Sequence, residues 1–368
     1  MKIIEVTKKE LMKFIDFPDA LYKNDDKFVP YMRGDLKKTL TKLLFEDKNY
    51  TALLAVDENG KAHGRVLFTI DKNKQLKTEK CGFFALYECE DDLEISHLLL
   101  DDMVKRLTAI GAEYVSGTYF PYDPDNRRGI MIKGFERAPL IVTSYNPPYY
   151  DRQMTDAGFE KHADTYEFTG QFTDETLARF EKVVDFSRRH CHFHVDTIDL
   201  NNIERDIDDV CSVMQQATNE IVYQEAPSRE TIENIFREWK SFIEPSLILI
   251  ARKDEDNSPI GIAISLPDYF QVFRKMRGRL DPRGIFAMLT ERKKIRSYRG
   301  ILQYVIPEYQ KFGVLPAMYI KMNESAKKLN MDYAEAGTIM ENNRASIAPL
   351  EAAGAELSRI YRIYYKKI

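Results

Sequence analysis

Ile301-Leu-Gln-Tyr-Val-Ile-Pro307-Glu-Tyr-Gln310-Lys-Phe-Gly313-Val-Leu-Pro316-Ala-Met-Tyr319 reads as an apolar strand, a short glycine-bearing turn and a helix that starts at once. Pro316 suits the first helical turn, where its missing donor is no loss. The unpaired amides of such a helix start, with the positive end of the helix dipole, favour an anion such as a diphosphate. Gly313 permits close approach of the backbone to that anion. On its own, an ordinary strand-to-helix turn explains the segment equally well.

The surroundings extend the pattern. Upstream, Leu247 to Ala251 and Ile260 to Ser265 form a hairpin around the polar stretch Asp254 to Pro259. Downstream come a helix to Leu329, a strand from Tyr333 to Thr338, Asn343, a short helix from Ser346 to Ala353, Gly354-Ala355 and a last strand from Arg359 to Tyr365. This run resembles the GNAT N-acetyltransferases. Their acyl-CoA signature places Arg/Gln-x-x-Gly-x-Gly/Ala at the helix start, and Gln310, Gly313 and Leu315 occupy those positions. Two departures stand out: Leu315 replaces a small residue and Pro316 removes one amide.

The resemblance implies an acyl-CoA-dependent N-acyltransferase that moves an acetyl group to an amine of a small molecule or peptide. Acetyl-CoA or another acyl-CoA would be the cosubstrate, without a metal. Backbone groups of Tyr304, Val305 and Ile306 would pair with pantetheine. Gln310, Lys311, Phe312, Gly313, Val314 and Leu315 would hold the diphosphate, and Asn343 would belong to the same site. Many GNAT enzymes carry a proton-donating tyrosine seven residues after the asparagine, and Leu350 stands there. Amine acylation needs a base, for which Glu308 and Glu335 are the candidates, and a donor to polarise the carbonyl; Tyr304 is a candidate to protonate the departing thiolate in place of Leu350. Leu350 and the imperfect phosphate turn also support a non-catalytic acyl-CoA-binding or structural protein, and the resemblance to other tandem GNAT-like proteins leaves a third reading, aminoacyl transfer from tRNA with a basic segment holding the RNA.

The first half repeats the order of elements. A hairpin (Thr51 to Val56, Arg65 to Ile70), a strand (Gly82 to Cys89), a helix (Leu93 to Ile110) and strands at Tyr114 to Tyr119 and His162 to Phe168 are expected. Gly64 matches Gly261, and Ala157-Gly158 matches Ala353-Gly354; Asn146 and Asn342 each lie twelve residues before their glycine. The expected architecture is therefore α/β, a mixed sheet in two tandem GNAT-like domains. They would span 1–170 and 191–368, joined by a linking helix over 171–190. In the first domain the turn Glu88-Cys-Glu-Asp-Asp-Leu-Glu94 carries five carboxylates. These repel a diphosphate, so no CoA site is expected there.

Composition bounds the rest. At 368 residues and 44% apolar the chain supports two filled cores. The net charge of −4 supplies no global basic field for nucleic acid or an anionic membrane. Four cysteines without paired spacing, and a polar start, suggest a cytoplasmic protein, compatible with a homo-oligomer. The pair His192 and His194 lacks a companion metal motif. Residues 274–299 hold ten Lys/Arg against Asp281 and Glu291. That run reads as a solvated helix face, or as a surface for an anionic acceptor, the 3′-phosphate of CoA or a nucleic acid.

Overall fold

The computed structural model describes residues 1–70, 80–120, 127–170, 172–217, 228–240 and 242–368. In the first half the order is β1 (Lys2–Glu5), α1 (Leu11–Leu21), α2 (Arg33–Thr41), β2 (Tyr50–Val56), β3 (Ala62–Ile70), β4 (Cys81–Cys89), α3 (Leu93–Ala109), β5 (Tyr114–Gly117), β6 (Ile130–Lys133), α4 (Tyr150–Asp156) and β7 (Glu160–Gly170). Helix α5 (Asp174–Arg188) links the halves. The second half runs β8 (Phe193–Thr197), α6 (Ile203–Ala217), α7 (Arg229–Trp239), β9 (Ile248–Lys253), β10 (Pro259–Pro267), α8 (Phe270–Met276), α9 (Pro282–Glu291), β11 (Ser297–Val305), α10 (Val314–Lys328), β12 (Tyr333–Met340), α11 (Arg344–Ala352) and β13 (Glu356–Lys367).

Local chemistry sets several boundaries. Asp92 caps α3 by accepting from the amides of Glu94 and Ile95, and Thr173 caps α5 through the amide of Thr176. Asp281 caps α9, followed by Pro282 in the first turn. Strand β4 is buried along its whole length, as its unbroken run CGFFALYEC suits.

All strands join one mixed sheet in the order β1-β2-β3-β4-β5-β13-β7-β12-β11-β10-β9-β8, with β6 beside β13. The two last strands have traded places. β13, which ends the second half, pairs with β5 of the first (Tyr364 opposite Gly117). β7, which ends the first half, pairs with β12 of the second (Phe168 opposite Ala336). Between them β7 and β13 form an antiparallel ladder from Thr169–Glu356 to Glu160–Tyr365. β7 continues through Gly170.

The repeat seen in the sequence has structural counterparts. Gly64 faces Cys89 at the end of β4, and Gly261 faces Val305 at the end of β11. Gly158 and Gly354 follow α4 and α11 with left-handed φ of 74° and 79°. On one face of the first half, Leu99, Leu100 and Met103 of α3 pack on Leu53, Val66 and Phe84. On the other, Phe14 and Leu40 cover Leu54 and Leu67. In the second half Val210, Val213, Met318 and Met322 enclose Ile248, Ile250 and Ile262. Each such side chain contributes about 1.5–3 kcal/mol when fully buried.

Candidate functional site

Strands β11 and β12 run parallel, but they pair only from Ser297–Tyr333 to Gly300–Ala336. Beyond that, β12 stays with β7, meeting it at Ile339–Tyr166, while β11 stays with β10 as far as Val305–Gly261. The strands therefore part, and a cleft opens between them. Tyr319 of α10 enters it and donates to Gln303 Oε1 at 2.7 Å. Phe172 and Phe180 stack with Tyr319, their ring centroids 5.3 and 5.8 Å from it. Leu350 is buried in the same cluster. What remains is a cavity of about 60 Å³, lined in part by Glu335, Thr169, Tyr298 and Leu350. That is room for a few water molecules.

At the mouth of the cleft lies the 307–315 turn. Gly313 precedes α10 with φ 67°, and no side chain caps this helix start. The Gln310 and Phe312 amides are engaged by the Pro307 and Tyr309 carbonyls. The Gln310 side chain donates to the Val305 carbonyl at 3.2 Å, and the Ile306 amide pairs with Ile260 across the sheet. A Cβ on Gly313 would stand 2.9 Å from Ser187 Oγ. The glycine's open side therefore accommodates α5. Beside it, Lys182, Val183, Phe186, Ser187, His190, Lys311 and Phe312 line an open groove of about 370 Å³.

Tyr304 is half-buried against the second-half core, and Glu308 is exposed. Asn343 caps α11, accepting from the Ser346 amide at 3.2 Å. Glu335 is buried, and sequence reasoning missed its neighbours. Arg359 Nη1 lies 2.5 Å from Glu335 Oε2 and 3.3 Å from Glu167 Oε2. Arg299 Nε meets Glu167 Oε1 at 3.0 Å, and Tyr361 donates to Glu167 Oε2 at 3.1 Å. Tyr333 donates to Glu335 Oε1 at 2.7 Å. The two acids and two arginines are all at most 2% exposed. Burial first, then the Glu167 charge, push the Glu335 carboxyl up to about 7, against the pull of Arg359. Arg359 opens the last strand run of the sequence, whereas Arg299 lies in the 274–299 charge run and enters β11 only because that strand begins at Ser297.

In the first half the equivalent helix start is closed by Asp92 itself. Behind it, Glu88 Oε2 accepts from Tyr22 at 2.6 Å and Tyr150 at 2.8 Å, with Arg65 Nη2 3.7 Å from Oε1. His194 is engaged by Asp254 at 2.6 Å and Asp196 at 3.3 Å. Among the described residues no group of three or more His, Cys, Asp or Glu could hold a metal ion. No described helix is long and apolar enough to cross a membrane.

The parted parallel strands, the turn before α10 and the doubled order of elements define a tandem GNAT acyltransferase fold. A tandem GNAT protein from the clavulanic acid biosynthesis pathway superposes with a TM-score of 0.56 at 8% identity, covering 100% of this chain and 98% of that one. A GCN5-related N-acetyltransferase from Sphaerobacter thermophilus gives 0.53 at 10% identity, covering 99% and 95%. In sequence the chain is 25% identical to Protein YghO of Escherichia coli (strain K12), over 99% of this chain and 94% of that protein. It is 21% identical to a bacterial ceramide synthase of Caulobacter vibrioides, over 98% and 96%. No family profile matches the chain.

Proposed function

We propose that this protein is an acyl-CoA-dependent N-acyltransferase whose site lies in the second half, 191–368, with 1–170 as a repeat that binds no CoA. The parting of β11 from β12 beside the uncapped start of α10 carries this reading. Similarity to a ceramide synthase along nearly the whole of both chains supports amide formation, since a ceramide is a fatty acyl amide.

The residues fit the phosphate end of CoA. Lys182 and Lys311 offer positive charge in the groove, Phe186 and Phe312 offer rings, and the first α10 amides face an anion favourably. The inner lane fits only after the Phe172–Phe180–Tyr319 stack moves aside, because about 60 Å³ cannot hold a pantetheine arm. A bound acyl-CoA supplies an activated thioester carbon. Glu335, its carboxyl at the cavity wall pushed up to about 7, would in its ionised form take the proton released as the amine nitrogen forms its bond to that carbon. The leaving thiolate must find its proton elsewhere, as Leu350 has none to give.

Leu350 and the filled lane favour one alternative, an acyl-CoA-binding protein without catalysis. Calorimetry with acetyl-CoA and a long-chain acyl-CoA, followed by thiol-release assays with small amines, peptides and long-chain amino alcohols, separates the two. Binding with thiol release supports the transferase. Binding without release across the panel supports the alternative, and absence of binding rejects both.

A further inference from the structure

Helix α9 turns an apolar face to solvent. Its inner side packs Ala287 and Met288 against the cluster around α8. On its outer side Ile285, Phe286 and Leu289 are 50%, 68% and 70% exposed, and Leu280 just ahead is 68% exposed. Positions 285, 286 and 289 fall on one side of a helix. Single exposed apolar residues are ordinary, but four large ones grouped around one short helix mark an interaction surface.

The flanks are cationic. Arg277, Arg279 and Arg283 on one side, and Arg292 and Lys293 on the other, are all exposed, while Lys294 is held by Glu291. The acids between them are engaged. Asp281 accepts the Gly284 amide as the α9 cap, and Glu291 is paired with Lys275 and Lys294. The overall charge of −4 argued against anionic surfaces, and the local distribution reverses that expectation.

We propose that α9 seats on an anionic phospholipid bilayer. Phe286, Leu289, Ile285 and Leu280 enter the headgroup–acyl boundary while the flanking arginines and lysines meet the phosphates. An apolar stripe combined with a cationic rim is what interfacial helices use, and each signal alone holds weakly. Charge decides against other occupants. A second copy would bring two basic rims together, and a nucleic acid offers nothing to the apolar stripe.

The test is co-sedimentation of the full chain with vesicles of phosphatidylcholine alone or mixed with phosphatidylglycerol. The expected result is at least about ten-fold stronger partitioning onto the anionic vesicles, declining with salt. The Phe286→Ser/Leu289→Ser double variant should lose about ten-fold in partitioning while keeping its circular dichroism and melting temperature. Arg292→Glu/Lys293→Glu should remove the anionic preference. No pelleting of the wild type at low salt, or unchanged pelleting of the serine double variant, overturns the proposal. So does a concentration-dependent dimer that the serine variant abolishes in the absence of vesicle binding. Vesicle binding requires no acyl transfer, so this result and the enzymatic one stand or fall separately.

Discussion

Glu167 of β7 and Arg359 of β13 meet 3.3 Å apart where the two exchanged strands lie side by side, and neither side chain reaches solvent. Each strand ends one half of the chain and completes the sheet of the other. The ion pair therefore joins the halves as well as the strands.

Removing one member should be costly. Arg359→Met leaves Glu167 and Glu335 buried without that cation, and unfolding in urea should show a loss of roughly 3–5 kcal/mol. A loss under about 1 kcal/mol would mean that water or Arg299 takes over the role.

Stability should fall as pH rises toward neutrality. In the unfolded chain Glu335 titrates near 4.5, whereas in the folded protein it titrates near 7. Between those values the folded state holds more protons than the unfolded one, so its advantage shrinks with rising pH. Asp268, pushed up to about 6 by burial, acts in the same sense. Denaturation midpoints measured from pH 5 to 8 should decline, and Glu335→Gln should flatten the slope. If Glu335 is the base, the transfer rate should instead rise through about pH 7 and vanish in that variant.

The buried network of the first half should register the loss of a single hydroxyl. Tyr22→Phe removes the 2.6 Å donation to Glu88 and should cost about 1–3 kcal/mol in the same assay. A neutral result would show that Tyr150 and Arg65 satisfy Glu88 unaided.

Two substitutions at the cleft should act in opposite directions on acyl-CoA binding. Gly313→Trp places a side chain against Ser187 at a left-handed φ of 67°, and should displace α5 and abolish binding. Phe172→Ala opens the stack over Tyr319 and should tighten binding. Calorimetry with acetyl-CoA reads both, and unchanged affinity in both variants would place the site elsewhere.

The elements were legible in the sequence where a local pattern determines them. The hairpins, β4, α3 and the strand–turn–helix around Gly313 follow from alternation, glycine and proline. The exchange of β7 and β13 was not legible. An alternating run specifies a buried face, and nothing in EKHADTYEFTG or ELSRIYRIYYKK specifies which neighbour covers its edge. Glu335 is legible as a candidate base, but Glu167, Arg299 and Arg359 are not, since charged residues in a strand ordinarily face solvent. The charge run at 274–299 reads as a solvated helix face, but its division into the end of α8 and the separate α9, with an apolar outer side, is not legible from the charges. The close approach of α5 to Gly313 depends on tertiary contact alone.

Because β13 fills the gap between β5 and β7, the newborn chain cannot close its middle until Glu356–Lys367 has left the ribosome. Ser116 waits for the carbonyl of Tyr364, a separation of 248 positions, before its hydroxyl is satisfied. The outer portions can gather early, but the centre forms last. Loss of β13 would therefore expose two open edges, those of β5 and β7, in the interior of the sheet, with aggregation as the expected fate.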